Sequence, residues 1–360
     1  MHALLLSVDT TLCDRSSASF ARHIELSHKV SRLTVFIFSS KKINIIDGNL
    51  TIRTVPFHPF SVFTLVRYCN INHVSLLSAQ DPLRCGLFAY LISLLTSIPF
   101  EVQLHGDWFD NYYRNRSFFW RILIIIAGYI TRRAHLLRAV SWRVMRSLAQ
   151  LSVDTNRVYI APILGTYDTT PTDLTNLFPE ISGKQVILCV ARLYPEKNVT
   201  LLMQSLPYIR SYVPNAQVLV VGDGGEMSEC KAIAKSLGCA GMVSFVGHVA
   251  HTYSYYTQAD VVVIPSLTES FSRVVLEATH VGVPVVMTDV GLAGDVIIDK
   301  ESGRVVADFD DGLLAEAIVD VLLHPQDAIR YVAKARAIVE SRFDIHPQEI
   351  TVHYWKKLIS

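Results

Sequence analysis

With 360 residues, half of them apolar and 18% charged, the chain exceeds what one hydrophobic core usually covers and carries too little charge for wholesale disorder, so two globular domains are expected. The net charge of +1 hides a division: residues 1–150 hold 17 Lys and Arg against 8 Asp and Glu, and the remainder 16 against 24. Six scattered cysteines, none in a C-x-x-C pair, indicate neither a disulfide framework nor a zinc site.

Met1–Val8 is apolar until Asp9 interrupts it, too short a run for a signal peptide, and it reads as a first strand. Strands are predicted near Ala3–Val8, Leu33–Phe38, Val74–Leu77, Phe100–Leu104, Leu136–Ala139 and Val158–Ile160, with helical patterns between them. That alternation is the pattern of βαβ units building a parallel sheet. Two apolar stretches, Leu87–Phe100 and Phe118–Ile130, fall below the ~18–20 residues that span a bilayer, and the second carries Arg121. A cytoplasmic protein is expected, at most peripheral on the inner face of a membrane. The basic first half suits an anionic membrane surface or acceptor, or is simply a solvated basic face. No aromatic-interleaved RNA-binding motif is present, so no nucleic-acid partner is expected. Asp107–Arg116, with Trp108, Phe109, Tyr112, Tyr113 and two arginines, reads as an aromatic and cationic surface for a sugar or a membrane interface.

The domain boundary is expected in Ala161–Gly183, where Pro162, Gly165, Pro171, Pro179 and Gly183 interrupt any periodicity. The predicted domains are 1–165, 166–345 and a terminal helix over 346–360, with Pro347 at its first turn. In the second half, strands are predicted near Val186–Val190, Val218–Val221, Val243–Val246, Val261–Ile264, Val285–Met287 and Gly303–Val306, which makes a second doubly wound sheet.

Ligands of open parallel sheets sit beyond the carboxyl ends of the strands, so the loops after those strands carry the candidate chemistry. The first places Arg192 and Lys197 five residues apart, cations suited to a diphosphate leaving group, although alone they also fit ordinary surface charge. The second, with Gly222, Asp223 and Gly224, is a glycine-rich turn that either approaches a ligand or serves tight backbone geometry. The third, Val246-Gly247-His248-Val249, is short enough for backbone groups to meet a base edge and also reads as an ordinary turn. The fourth holds Glu269 and Ser272, which is placed to cap a helix running to Gly282 with Glu277 inside it. The amides from Ser272 through Arg273 to Val274 at that helix start form an anion site, and Glu277 is placed to accept ribose hydroxyls.

Glu269-x7-Glu277-Ala278, preceded by Pro265-Ser266 and followed by Gly282-x-Pro284, resembles the E-x7-E signature of the retaining glycosyltransferases of family 4. The Arg192…Lys197 loop and the Gly222-Asp223-Gly224 turn stand in that family's order. The resemblance, dense over roughly 185–325, implies a GT-B fold, two doubly wound Rossmann-like domains facing each other across a cleft, with the terminal helix packed back on the first domain. It implies that Arg192 and Lys197 bind the donor diphosphate, that Glu277 binds the ribose, and that Glu269 contacts the donor sugar. A nucleotide-diphosphosugar, from UDP or GDP, is then the co-substrate, a glycan or lipid-linked molecule the acceptor, and no cofactor or metal is needed. A role in cell-surface polysaccharide or lipopolysaccharide synthesis follows. The resemblance also places a histidine at the end of the strand Phe100–Leu104, here His105, facing the reacting sugar; a structural histidine is the other reading. Two departures stand out: Ser272 occupies a position commonly glycine, and Asp9–Ser19 lacks the glycine-rich loop of many relatives. A GT-B nucleotide-sugar epimerase and a non-catalytic nucleotide-sugar-binding or scaffold protein are the alternatives.

Overall fold

The computed structural model describes residues 1–164, 178 and 181–360. The boundary residues Gly165, Pro171 and Pro179 lie outside them. The chain divides into two compact units, Met1–Gly165 with His346–Ser360, and Thr166–Ile345.

The first unit runs β1 (His2–Ser7), α1 (Ala18–His28), β2 (Arg32–Phe38), β3 (Asn44–Asp47), β4 (Leu50–Val55), α2 (Ser61–Ile71) and β5 (Leu76–Ala79). It continues through α3 (Arg84–Thr96), β6 (Phe100–Leu104), α4 (Asn111–Arg116), α5 (Phe118–Arg133), β7 (Leu136–Ala139), α6 (Trp142–Ala149) and β8 (Val158–Ile160). The eight strands are ordered β3-β4-β2-β1-β5-β6-β7-β8. β1 pairs in parallel with β2 and β5 and all six of its residues are buried, which is why Ala3 to Leu6 form a continuous apolar run and not an alternation. The hairpin of β3 and β4 escaped the sequence reading. β3 is an antiparallel edge strand whose residues are half-buried or exposed, so no buried face marked it. β5 extends to Ala79, two residues beyond its predicted end, because Ser78 is buried in the strand and its hydroxyl donates to Glu101.

The second unit runs β9 (Gln185–Val190), α7 (Val199–Tyr212), β10 (Ala216–Val221), α8 (Met227–Ser236), β11 (Val243–Gly247) and α9 (Tyr253–Thr257). It continues through β12 (Val261–Ile264), α10 (Arg273–Val281), β13 (Val285–Thr288), β14 (Arg304–Val306), α11 (Asp311–Leu323) and α12 (Pro325–Phe343). Its six parallel strands are ordered β11-β10-β9-β12-β13-β14, the 3-2-1-4-5-6 order of a dinucleotide-binding sheet. One core cluster joins Ile187, Val218 and Val263 of the sheet to Leu202 and Leu206 of α7 and Ile318 of α11.

The terminal helix α13 (Pro347–Ile359) starts with proline in its first turn, where a missing N–H costs nothing. It belongs to the first unit: Trp355 is fully buried in the cluster formed by β1 and β2, Tyr354 stacks on Tyr159 at 4.5 Å, and Lys29, just after α1, pairs with Glu349 at 3.0 Å. Among the described residues no helix is long and apolar enough to cross a membrane.

Candidate functional site

In the second sheet the winding reverses between β9 and β12, so the loops that follow these two strands part and leave a crevice. A cavity of about 1050 Å3 opens there. Its walls are the loop after β9, including Arg192, Tyr194 and Lys197, the turn after β10 from Gly222 to Gly225, His248, Val249 and Thr252, and the segment from Pro265 into α10.

Lys197 and Glu269 meet at the floor of this cavity. The Lys197 Nζ donates to Glu269 Oε1 at 2.6 Å with the two side chains only 19% and 15% exposed. The Ser266 hydroxyl donates to the same carboxylate oxygen at 3.0 Å, and the Leu267 N–H binds the Glu196 carbonyl, which ties the two loops together. Gly291, at φ +56°, backs this arrangement: a Cβ there would stand 2.9 Å from the Cβ of Glu269. Arg192 is different in kind. Its side chain is 72% exposed, lies over the Tyr194 ring and approaches Glu196 only to 3.8 Å, a weak surface contact that leaves the guanidinium available at the rim.

Gly222 and Gly224 both line the cavity, and the structure shows what glycine does at Gly222. At φ +131°, with its N–H donated to the Gly247 carbonyl, a Cβ would come within 1.9 Å of the Ala191 carbonyl oxygen. The glycine allows the loops after β9 and β10 to lie against each other. Two expected contacts are corrected: Val246 and Gly247 do not line the cavity, because both belong to β11 and the Gly247 carbonyl is engaged by Gly222, so His248 and Val249 face the space instead.

Ser272 precedes α10 as expected but does not cap it through its side chain. Its φ of +70° is left-handed, a conformation that favours glycine, and it turns the hydroxyl away from the first-turn amides. The Ser272 Oγ is buried without a hydrogen-bond partner among the described residues. Arg273 and Val274 nevertheless bring the helix start into the cavity wall, where the first N–H groups of any helix lack intrahelical acceptors. One turn on, Glu277 accepts from the Tyr256 hydroxyl at 2.8 Å and from Arg273 at 3.1 Å. Burial and the neighbouring Glu277 carboxylate push the Tyr256 hydroxyl well above its ordinary range, so it remains a donor. Tyr256 and Gly291 escaped the sequence reading, and Ser266 entered it as part of the signature without a role; no local pattern in a tyrosine-rich turn or an isolated glycine marks a partner that the fold supplies.

His105 lies in the first unit, at the end of β6, on a separate cavity of about 250 Å3 that His23, Arg138 and Gln103 also line. Its Nε2 and the Gln103 Oε1 are 2.8 Å apart, and Gln103 in turn reaches Ser78 and the fully buried Glu101. Burial, with Arg138, His23 and Arg22 nearby, lowers the His105 pKa to about 3, so the ring is neutral at physiological pH. Of the predicted aromatic surface, Phe109 and Asp107 are corrected to buried residues; burial raises the Asp107 carboxyl to about 6 although Ser147 donates to it. Trp108, Tyr113 and Trp120 do cluster, with ring centroids 5.5–6.3 Å apart.

Residues 177–338 match the family model of glycosyl transferases group 1. The second unit is thus similar to a glycosyl transferases group 1 domain. The chain is 31% identical over 157 residues to a GDP-mannose-dependent alpha-(1-6)-phosphatidylinositol monomannoside mannosyltransferase of Mycolicibacterium smegmatis, 41% of either chain. It is 33% identical over 165 residues to a glycogen synthase of Mycobacterium tuberculosis, 45% of this chain and 40% of the other. The chain spans about two fifths of the length of these curated relatives. The whole chain is similar to Anabaena Alr3699/HepE, solved in complex with UDP, with a TM-score of 0.78, 20% identity and 98% of each chain covered. That likeness shows the fold, GT-B, with a sheet in each of two Rossmann-like units that is wholly parallel in the second and parallel but for β3 in the first.

Proposed function

We propose that the protein is a retaining glycosyltransferase that moves a sugar from a UDP- or GDP-sugar to a glycan or lipid-linked acceptor. We assign it to the synthesis of cell-surface polysaccharide or lipopolysaccharide, on the cytoplasmic face of a membrane. The observation that carries the reading is the convergence, in one 1050 Å3 cavity, of the Lys197–Glu269 pair, Arg192, the start of α10 and Glu277.

The chemistry follows from charge. Cleaving a glycosyl–phosphate bond leaves a nucleoside diphosphate whose negative charge grows as the bond lengthens, and fixed cations and helix amides lower that barrier most in a partly desolvated site. Lys197 and Arg192 supply the cations, and the first-turn amides of Arg273 and Val274 supply dipoles, so no divalent ion enters the proposed reaction. Glu277, held by Tyr256 and Arg273, offers its carboxylate to vicinal ribose hydroxyls. Glu269, drawn to Lys197 in this structure, meets the donor sugar once a diphosphate competes for the ammonium. His105, neutral in the cavity of the first unit, hydrogen-bonds an acceptor hydroxyl without adding charge. Incubation with a panel of nucleotide sugars is expected to give slow hydrolysis or transfer from one of them. Absence of calorimetric binding to every UDP- and GDP-sugar tried would overturn the proposal.

A further inference from the structure

We propose that the outer face of α3 and α5 in the first unit docks on an anionic lipid bilayer, with aromatic and aliphatic side chains entering the headgroup boundary and arginines pairing with lipid phosphates. α5 is apolar on both sides. Ile124, Ala127 and Ile130 pack inward, while Phe118, Phe119 and Ile125 on the other side are 78%, 64% and 68% exposed. A helix at a water-facing surface ordinarily turns polar residues outward, so this face is built for a different medium. The apolar surface continues onto α3, where Leu94 and Leu95 are 63% and 58% exposed, and the Tyr90 and Tyr129 hydroxyls, 3.2 Å apart, join the two helices.

Charge decides the occupant. From residue 111 to 153 the chain has eight arginines and no Asp, Glu or Lys. One of them, Arg138, turns inward to Gln103. Arg114, Arg121 and Arg132 instead line a cavity of about 420 Å3 whose other walls include Ile124 and Ile125, a cradle for a phosphate carried on an apolar stem. Arg116 over Trp120 and Arg133 over Tyr129 complete an aromatic and cationic border suited to the interfacial layer. A second copy of the chain fits badly, since a self-complementary contact through this face sets arginine against arginine with no acid in the segment to pair. With 16 residues α5 lies on the bilayer and does not span it.

The proposal rests on the peripheral-membrane reading above and not on the donor assignment, so the two fail in different measurements. Full-length protein is sedimented with vesicles of phosphatidylcholine alone and of phosphatidylcholine with phosphatidylglycerol. Binding is expected only to the second and weakens as salt rises. Phe118→Asp combined with Ile125→Asp abolishes it. Combined Arg114→Gln, Arg121→Gln and Arg132→Gln reduces partitioning on the order of a hundredfold, at roughly fivefold per arginine. Both variants retain the UDP or GDP affinity of the parent protein by calorimetry. Fluorescence of the unaltered protein gives an answer that no variant can spoil: brominated acyl chains in the anionic vesicles quench the tryptophan emission. Failure of the parent protein to bind anionic vesicles overturns the proposal, as does equal binding to neutral ones, unquenched emission, binding unchanged in the folded variants, or a solution dimer that the double aspartate variant dissociates.

Discussion

At the scale of single residues, the site is organised by partners far apart in sequence. Lys197 and Glu269 are 72 positions apart and share a 2.6 Å contact in a setting about one sixth exposed, so each holds the charge the other needs. Lys197→Ala is therefore expected to lower kcat/KM on the order of 10²–10³-fold, the usual consequence of removing one group that stabilises a developing anion. If the pair were purely structural, activity per folded molecule would not change. Ser272 offers a test with the opposite sign for stability. Its left-handed φ and its buried hydroxyl, which has no hydrogen-bond partner among the described residues, both cost the folded state. Ser272→Gly is expected to raise stability by about 1 kcal/mol in denaturant titration, the strain relieved exceeding the added chain entropy. The sequence located Glu269, Glu277, Arg192 and Lys197 because their spacing repeats a known signature. It was silent on Tyr256, whose hydroxyl reaches Glu277 only because α9 and α10 pack together.

Among the elements, the loops after β9 and β10 depend on one another. Gly222→Ala forces a Cβ to within 1.9 Å of the Ala191 carbonyl oxygen at a φ of +131°. A loss of about 3 kcal/mol or more is expected, with donor binding lost even where the protein still folds. In the first unit, the carboxyl ends of β6 and β7 and the start of α1 enclose a neutral histidine pair. Burial holds His23 down to about 4 and His105 down to about 3, against an unfolded value near 6.5. Between those limits the unfolded chain binds more protons than the folded one, so stability is complete above about 6.5 and is lost as pH falls toward 4. Asp107, raised to about 6, acts in the opposite direction, but two histidines shifted this far outweigh one carboxyl. Melting temperature is expected to fall over that window, and the fall to shrink in the His23→Gln and His105→Gln variants. Constancy of the melting temperature from neutrality to pH 4 would contradict the burial of these rings.

At the scale of the whole molecule, a nucleotide that binds only the folded second unit must stabilise it by mass action. At a hundredfold excess over its dissociation constant, UDP or GDP contributes about 2.7 kcal/mol. The base that raises the melting temperature more is expected to be that of the donor. A chelator such as EDTA is expected to leave both this shift and transfer unchanged; a loss of transfer restored by a divalent ion would refute the metal-free proposal. Much of the architecture was legible beforehand, since Phe100–Leu104, Leu136–Ala139, Val158–Ile160 and Val261–Ile264 are strands at the predicted limits. Buried parallel strands read as continuous apolar runs, and that signal is local. The exposed β3 edge carried no such signal and was missed.

By itself, then, the sequence determined the alternation of strands and helices and the order of the loops that hold Arg192, Lys197, Glu269 and Glu277, because hydrophobic period and motif spacing are properties of neighbouring residues. Only the tertiary structure decided that Lys197 is bound to Glu269, that Ser272 is left-handed, and that Val246 and Gly247 do not line the cavity. Each of these depends on which distant segment supplies the partner, and burial and charge pairing across such distances leave no periodic trace in the chain.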